Sequence, residues 1–383
     1  MKVIERNSCV ICRENDLEDL INLKKFPVFI GATSEPYASD KFHDMSWGIS
    51  KKSGVIQLKK LLPLNLIYSE FHSEAVGAVW ENHRKEFSKF IRKNKTSGDV
   101  LEMGGSDAKQ ASLHYELNKE TEDRWHIVEP NIPKDFKAPN TKIKYLDGYI
   151  EEKLENFSTI KNFVHSHVLE HLYEPDKIVD AVADKQKKGD RVIFSIPDLK
   201  YYLENLFVNA LNFEHTYYIT DEIVEFLFKN RGYKLVDKES YINHSIFYCY
   251  EKIDKPINTS LPNEHFYNKN KKAYLDLVKF YKDEVAVYNN QINNHVGEVY
   301  LFGGHIFSQF LLYLGLHEEK ITSILDNSKQ KQNKRLYGFN LNIYNPEVIK
   351  NSKSPLVILK VGQYFNEIKN QLLKINPNVK IVK

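Results

Sequence analysis

The run Val100-Leu101-Glu102-Met103-Gly104-Gly105-Ser106-Asp107-Ala108 carries apolar residues into an acidic side chain, two glycines and small residues. Glycines without side chains let a ligand approach the backbone closely, at the point where a strand gives way to a helix. Three more apolar runs end in polar groups: Trp125–Val128 in Glu129, Ile143–Leu146 in Asp147, and Asn162–Val164 in His165-Ser166-His167. A carboxylate at such a strand end can accept hydrogen bonds from ribose hydroxyls, and another can receive an adenine amino group. A dinucleotide turn places Gly at its first, third and sixth positions beneath a pyrophosphate. Counted from Gly104, the third and sixth positions here are Ser106 and Lys109. That departure favours S-adenosylmethionine, which has no pyrophosphate to cradle. Glu102, Gly104, Gly105, Ser106, Glu129, Asp147, His165, Ser166 and His167 are the expected cofactor-binding residues.

A second cluster suits proton transfer. Residues 198–262 are dense in aromatic and histidine side chains, with Asn212-Phe213-Glu214-His215-Thr216-Tyr217-Tyr218 and Asn243-His244-Ser245. An imidazole with pKa near 6.5 accepts a proton readily at neutral pH, a contribution of typically ~10²–10⁴-fold. His215 is the expected base and Glu214 its orienting partner, although neighbours on a strand face opposite ways. Tyr217, Tyr218 and His244 are the expected walls of an acceptor pocket. Further on, Gly303-Gly304-His305 follows an apolar run and Asp326 closes the next, the outline of a second nucleotide-shaped pocket or of a structural cap.

These groups need strands to carry them. Strand-like runs alternating with helical spacing predict an α/β fold with a doubly wound parallel sheet, its ligands above the carboxyl ends of the strands. A helix is expected from Glu74 to Lys95, where Val76, Val79, Trp80, His83, Phe87, Phe90 and Ile91 share a face. Residues 1–75 read as a small irregular unit, 76–262 as the cofactor-binding domain, 263–295 as a connecting helix and 296–383 as a second α/β domain. In the first unit Cys9-Val-Ile-Cys12 has zinc-knuckle spacing, but Ser50 and Ser53 stand where a second cysteine pair belongs. Serine hydroxyls do not replace thiolates on zinc. His43 is a possible third ligand, yet no metal is expected, either there or among the site residues.

Composition narrows the class of function. With 54 basic and 51 acidic residues in 383, the net charge of +3 gives no field to recruit nucleic acid. Three cysteines give no disulfide framework. Val299–Leu316 falls short of a membrane span and Gly303-Gly304 interrupts it, so a cytoplasmic protein without membrane partners is expected.

Over nearly its whole length the chain resembles the S-adenosylmethionine-dependent sugar C-methyltransferases. The resemblance rests on Val100–Ala108, on His167–His171 with Glu174-Pro175-Asp176, and on Gly303-Gly304-His305 with Asp326 and Gly338. It implies an N-terminal zinc-ribbon remnant, a Rossmann-like class I methyltransferase domain and a C-terminal α/β domain that helps bind a nucleotide-linked sugar. Gly303, Gly304, His305 and Asp326 would then belong to the substrate. The segment at Glu214-His215 aligns with a Tyr-His-Glu-His signature whose last histidine is the base, with Asn212 and Phe213 in its first two places. A later His-Gly-Gly-Ser element is reduced to Asn243-His244-Ser245. The implied activity is methylation of a sugar at carbon or oxygen in glycan biosynthesis. Its rivals are a nicotinamide-dependent oxidoreductase and a non-catalytic scaffold; the oligomeric state is left open.

Overall fold

The structure is a computed structural model that describes residues 3–68, 77–119, 121–132, 137–138, 140–261 and 264–383. It divides into two compact units, Met1–Glu18 with Gly48–Tyr201 and Glu214–Asn268, and Asp19–Trp47 with Tyr202–Phe213 and Lys269–Lys383. The stretch 1–75, expected as one unit, is thus shared between them.

In the first unit the apolar runs are strands: β1 Val100–Met103, β2 Trp125–Glu129, β3 Ile143–Asp147, β4 Asn162–Ser166 and β5 Arg191–Pro197. Two further strands, β6 Tyr233–Tyr241 and β7 Ser245–Lys252, complete a seven-stranded sheet of order β3-β2-β1-β4-β5-β7-β6. β1 to β5 run parallel, whereas β7 is antiparallel to both β5 and β6. That closing hairpin was not expected from the sequence. Ser245–Tyr250 is buried at every position, so it shows no period-two alternation to read.

Helix α1, Ala78–Asn94, packs Phe87, Phe90 and Ile91 on the sheet, and α2, Lys109–Leu117, adds Ala111 and Tyr115. They meet Val100, Trp125, Ile127, Ile143, Val164 and Ile193 in one core. Burying each large apolar side chain contributes ~1.5–3 kcal/mol. The start of the expected helix, Glu74 and Val76, lies outside the described residues. Because β1 has β2 on one side and β4 on the other, the strand order reverses there, and a crevice opens beyond the carboxyl ends. This order, with its antiparallel β7, is that of the class I methyltransferase fold.

Near the N-terminus of this unit, Cys9 Sγ is 3.2 Å from Ser53 Oγ and Cys12 Sγ 3.8 Å from Ser50 Oγ. Cys9, Cys12, Ser50 and Ser53 are therefore folded together, with hydroxyl oxygens in two of the four places.

The second unit holds most of α3, Glu264–Asn293, the connecting helix expected at 263–295. Its Tyr274, Leu277, Tyr281, Val285 and Tyr288 are buried. A five-stranded parallel sheet follows from β8 Val299–Phe302, β9 Ser323–Leu325, β10 Ile343–Tyr344, β11 Leu356–Ile358 and β12 Lys380–Val382. Its order is β10-β9-β8-β11-β12. Residues 19–47 are tied to it by a buried two-pronged ion pair, Arg335 Nη1 on Asp40 Oδ2 at 2.7 Å and Nη2 on Oδ1 at 2.5 Å. Among the described residues no helix is long and apolar enough to cross a membrane.

Candidate functional site

The crevice at the strand-order reversal contains a cavity of about 260 Å³. Register explains which residues reach it. Met103 pairs with Val128 on one side and His165 on the other, so Gly104, Glu129 and Ser166 end their strands at a common level. Gly104, Ser106, Glu129 and His167 line the cavity, four of the nine residues expected there.

Gly104 has φ +74°, and a Cβ there would stand 2.6 Å from Val168 Cγ2, so only glycine fits. Ser106 follows at φ 45° and His167 stands at φ 54°, both left-handed without being glycine. Such backbone costs of order 1–3 kcal/mol and collects at functional sites. The Ser106 N–H donates to Glu129 Oε2 at 3.0 Å and the Asn131 N–H to Oε1 at 2.9 Å. Burial raises the Glu129 pKa while these two donors oppose the shift. Each carboxylate oxygen keeps a second lone pair for a ligand hydroxyl.

The other expected cofactor residues stand elsewhere. Glu102 lies beneath the turn, 2% exposed, and accepts the Trp125 indole N–H at 2.6 Å. Burial pushes its pKa up to about 7. It is two register steps inside the strand end, so it braces the turn from below and does not line the cavity. Gly105 faces Ile127 and the Glu102 carboxylate. Asp147 is level with Glu129 in the register but exposed on the edge strand; Gly148, Tyr149 and Ile150 form the wall instead. His165 is a core residue, stacked on Phe194 with ring centroids 4.8 Å apart, and burial lowers its pKa to about 3. Ser166 does not line the cavity.

On the opposite wall stand Tyr68, His171, Tyr173 and Glu214. His171 Nδ1 is 3.3 Å from the Tyr68 hydroxyl and 3.9 Å from Glu214 Oε2. His215 lies behind His171, their rings perpendicular at 4.9 Å, and is not a lining residue. Of the expected acceptor-pocket residues, Tyr217 is fully buried and donates its hydroxyl to the Leu169 carbonyl at 2.9 Å. Tyr218 is 3% exposed. His244 is buried behind His167, and the Ser245 hydroxyl lies 2.6 Å from His244 Nδ1 and 2.8 Å from His167 Nε2. These three are packing residues here: Tyr217 forms a β-bridge with Gln57, and His244 sits in the turn between β6 and β7.

Tyr68, Tyr149 and Glu151 were not anticipated. Tyr68 comes from a segment far upstream, and only the fold brings it here. Glu170 and His171 were visible in the His167–His171 run, but nothing in their spacing separated a lining role from a structural one.

In the second unit the Gly304 N–H donates to Asp326 Oδ2 at 2.8 Å, a copy of the Ser106–Glu129 contact. Here, however, the His305 imidazole fills the turn: a Cβ on Gly303 would fall 2.1 Å from its Nε2. Lys331 Nζ donates to the Gly304 carbonyl at 3.0 Å.

No family model and no curated protein matches the chain. Among solved structures it is similar to an S-adenosylmethionine-dependent methyltransferase from Mesorhizobium loti, with 9% identity, 46% of this chain and 99% of that chain covered, and a TM-score of 0.35. An O-methyltransferase family protein from Burkholderia thailandensis gives 9% identity over 45% of this chain and 56% of its own, with a TM-score of 0.36. The N-methyltransferase NodS from Bradyrhizobium japonicum gives 10% identity over 46% and 97%, with a TM-score of 0.32. The fold class itself rests on the strand order and crevice of this chain.

Proposed function

We propose that the protein is an S-adenosylmethionine-dependent methyltransferase. The observation that carries this reading is the cavity at the strand-order reversal, walled by Gly104, Ser106 and Glu129. The residues present fit the donor. Glu129 would take the ribose hydroxyls, while Val128, Pro130, Tyr149 and Ile150 offer a largely apolar slot for the purine. Glu129, Glu151 and Glu214 set carboxylates around a ligand that carries a positive charge. Bound there, the donor supplies an already electrophilic methyl group, so alignment is the protein's main task, worth ~7–11 kcal/mol of barrier through proximity.

The acceptor would enter against Tyr68, His171 and Glu214. Glu214 Oε2, beside His171 Nδ1, is placed to receive the proton that the acceptor loses. The expected pair thus takes an altered form, with Glu214 on the wall and His215 acting through His171. For the acceptor we propose a sugar, nucleotide-linked, methylated at carbon or oxygen. This rests on the resemblance of the whole chain and on the parallel α/β sheet of the second unit. Gly303, Gly304, His305 and Asp326 are the proposed sugar-nucleotide contacts in that unit, and His305 must swing aside for a diphosphate to reach the turn.

Calorimetric titration with S-adenosylmethionine and S-adenosylhomocysteine tests the donor site: saturable binding is expected in the wild type and at least tenfold weaker binding in Glu129→Ala. No binding by the wild type overturns the reading. Transfer of labelled methyl groups to a panel of nucleotide sugars then tests the acceptor class.

A further inference from the structure

Behind the acceptor wall lies a group that the donor site does not use. Glu170 is 0% exposed, and neither of its carboxylate oxygens receives a hydrogen bond. A buried carboxylate in that state is costly, because the water it has lost is not replaced. What faces it is imidazole. Oε1 is 3.7 Å from His171 Nε2 and 3.6 Å from His167 Nδ1, beyond hydrogen-bond reach of both. One donor atom from each of Glu170, His171 and His215 lies within 4.8 Å of the other two.

An internal ion pair is a poor answer to this arrangement. The carboxylate is fully buried and meets neither His167 nor His171 within hydrogen-bond distance, so no internal pair closes. A dication changes that balance, since it supplies the countercharge and needs no proton. Two imidazole nitrogens and one carboxylate oxygen are the three-ligand set of a catalytic zinc site, which keeps its fourth position open. Ligands ~2.0–2.2 Å from a tetrahedral ion stand roughly 3.4 Å apart, so closure from the present spacing needs side-chain shifts of about an ångström.

The outer contacts agree. When His171 binds an ion through Nε2, its Nδ1 carries the proton and points to Glu214 and Tyr68, the carboxylate-backed geometry of metal-bound histidines. His171 also lines the cavity, so its Nδ1 side, with Glu214 and Tyr68, faces the acceptor end while Nε2 faces the buried Glu170.

We propose that Glu170, His171 and His215 form a binding site for one divalent transition-metal ion of the zinc type. Imidazole donors select such an ion over magnesium or calcium, which take oxygen ligands. In the methyltransferase reading, on which this role rests, the ion fixes His171 and, through its Nδ1, the Glu214 carboxylate against which an acceptor hydroxyl would stand. The proton passes to Glu214, the oxygen forms the bond to the methyl carbon, and the carbon–sulfur electron pair stays on sulfur.

The test uses the full chain, stripped with a chelator and titrated with Co²⁺ as a spectroscopic probe, then with Zn²⁺ as competitor. Expected are visible ligand-field bands saturating at one ion per chain, displaced by Zn²⁺ and not by Mg²⁺. Glu170→Gln and His215→Ala are each expected to weaken binding at least ~100-fold, and the outer Glu214→Gln ~10–100-fold. Near-ultraviolet circular dichroism establishes that the variants are folded. Retained Co²⁺ affinity in folded Glu170→Gln overturns the proposal, as does a signal lost in Cys9→Ser/Cys12→Ser, which would place the ion on the thiols. Donor titration of the same samples separates the two claims: binding of the donor without metal removes only this site, and binding of metal without donor removes only the methyltransferase reading.

Discussion

Two carboxylates, Glu102 and Glu129, looked alike in the sequence because both close apolar runs beside the glycine turn. Register separates them. Glu129 is level with Gly104 and reaches the cavity, whereas Glu102 is paired with Ile127, two steps deeper, and spends its charge on Trp125. One residue's place in a strand is legible; its depth relative to a neighbouring strand is set by pairing, which no local pattern records. Glu102→Ala is therefore expected to cost ~2–4 kcal/mol, from a stranded indole N–H and a void under the turn. Glu102→Gln costs less, since its amide oxygen can still accept from Trp125; urea unfolding of the two variants checks the order, and equal losses would refute the bracing role. Gly104 carries the complementary prediction. An alanine there adds a left-handed penalty of ~1–2 kcal/mol and a contact with Val168. Donor affinity should fall at least tenfold, and Gly104→Ala/Val168→Ala should recover part of the stability without the affinity, both readable in one calorimetric titration.

At the scale of elements, the alternating strands and helices were legible because most parallel strands are short, mainly apolar runs with a polar end. The β6–β7 hairpin was hidden for the opposite reason. β7 is buried from Ser245 to Tyr250 while β6 is mostly exposed, so neither strand alternates. The Cys9-Val-Ile-Cys12 spacing and the serines at Ser50 and Ser53 were both visible in the sequence, and the fold brings the four side chains together. Backbone N–H groups of Ile11 and Cys12 still point at Cys9 Sγ, each 3.4 Å away, and the Ser53 N–H donates to Ser50 Oγ at 3.1 Å. That frame of donors fixes where the sulfur and oxygen atoms stand. Sulfur atoms on a tetrahedral zinc stand ~3.8 Å apart, close to the present Cys9–Ser53 and Cys12–Ser50 spacings. Ser50→Cys/Ser53→Cys is expected to bind one zinc more per chain than the wild type and to raise the melting temperature of the first unit. Elemental analysis after gel filtration decides it, and no additional zinc would show that the frame has relaxed too far.

Across the whole molecule, the unusual feature is the number of imidazoles held neutral by burial. His83 and His165 are lowered to about 3, and His114, His244 and, in the second unit, His305 to about 4. His83 is typical: its Nε2 lies 2.9 Å from the Ser195 hydroxyl, and its ring packs against His167 and Phe247. Below pH 6.5 the unfolded chain takes up protons at these residues that the native chain refuses. Stability therefore falls as pH drops, by up to about 1.4 kcal/mol per unit for each group until its own folded pKa is reached. Glu102 and Glu170 act in the other direction, with folded pKa values of about 7 and 8. They bind protons in the native state first, so their contribution declines as pH rises from about 4.5 through those values. Between pH 8 and 6.5 the two carboxylates add stability on acidification, and the Cys9 thiol, lowered to about 6 by its hydrogen bonds, offsets part of that gain. Below 6.5 the histidines outnumber them and the trend reverses. The expected profile for chelator-treated protein is a maximum near pH 6.5 and a loss of several kcal/mol by about pH 5, measured as denaturant midpoints. His83→Phe should flatten the acidic limb by about one histidine's share, because its ring fills the same space without a proton site. A midpoint unchanged between pH 6.5 and 5 would mean that the buried imidazoles are wetter, or more readily protonated, than their packing implies.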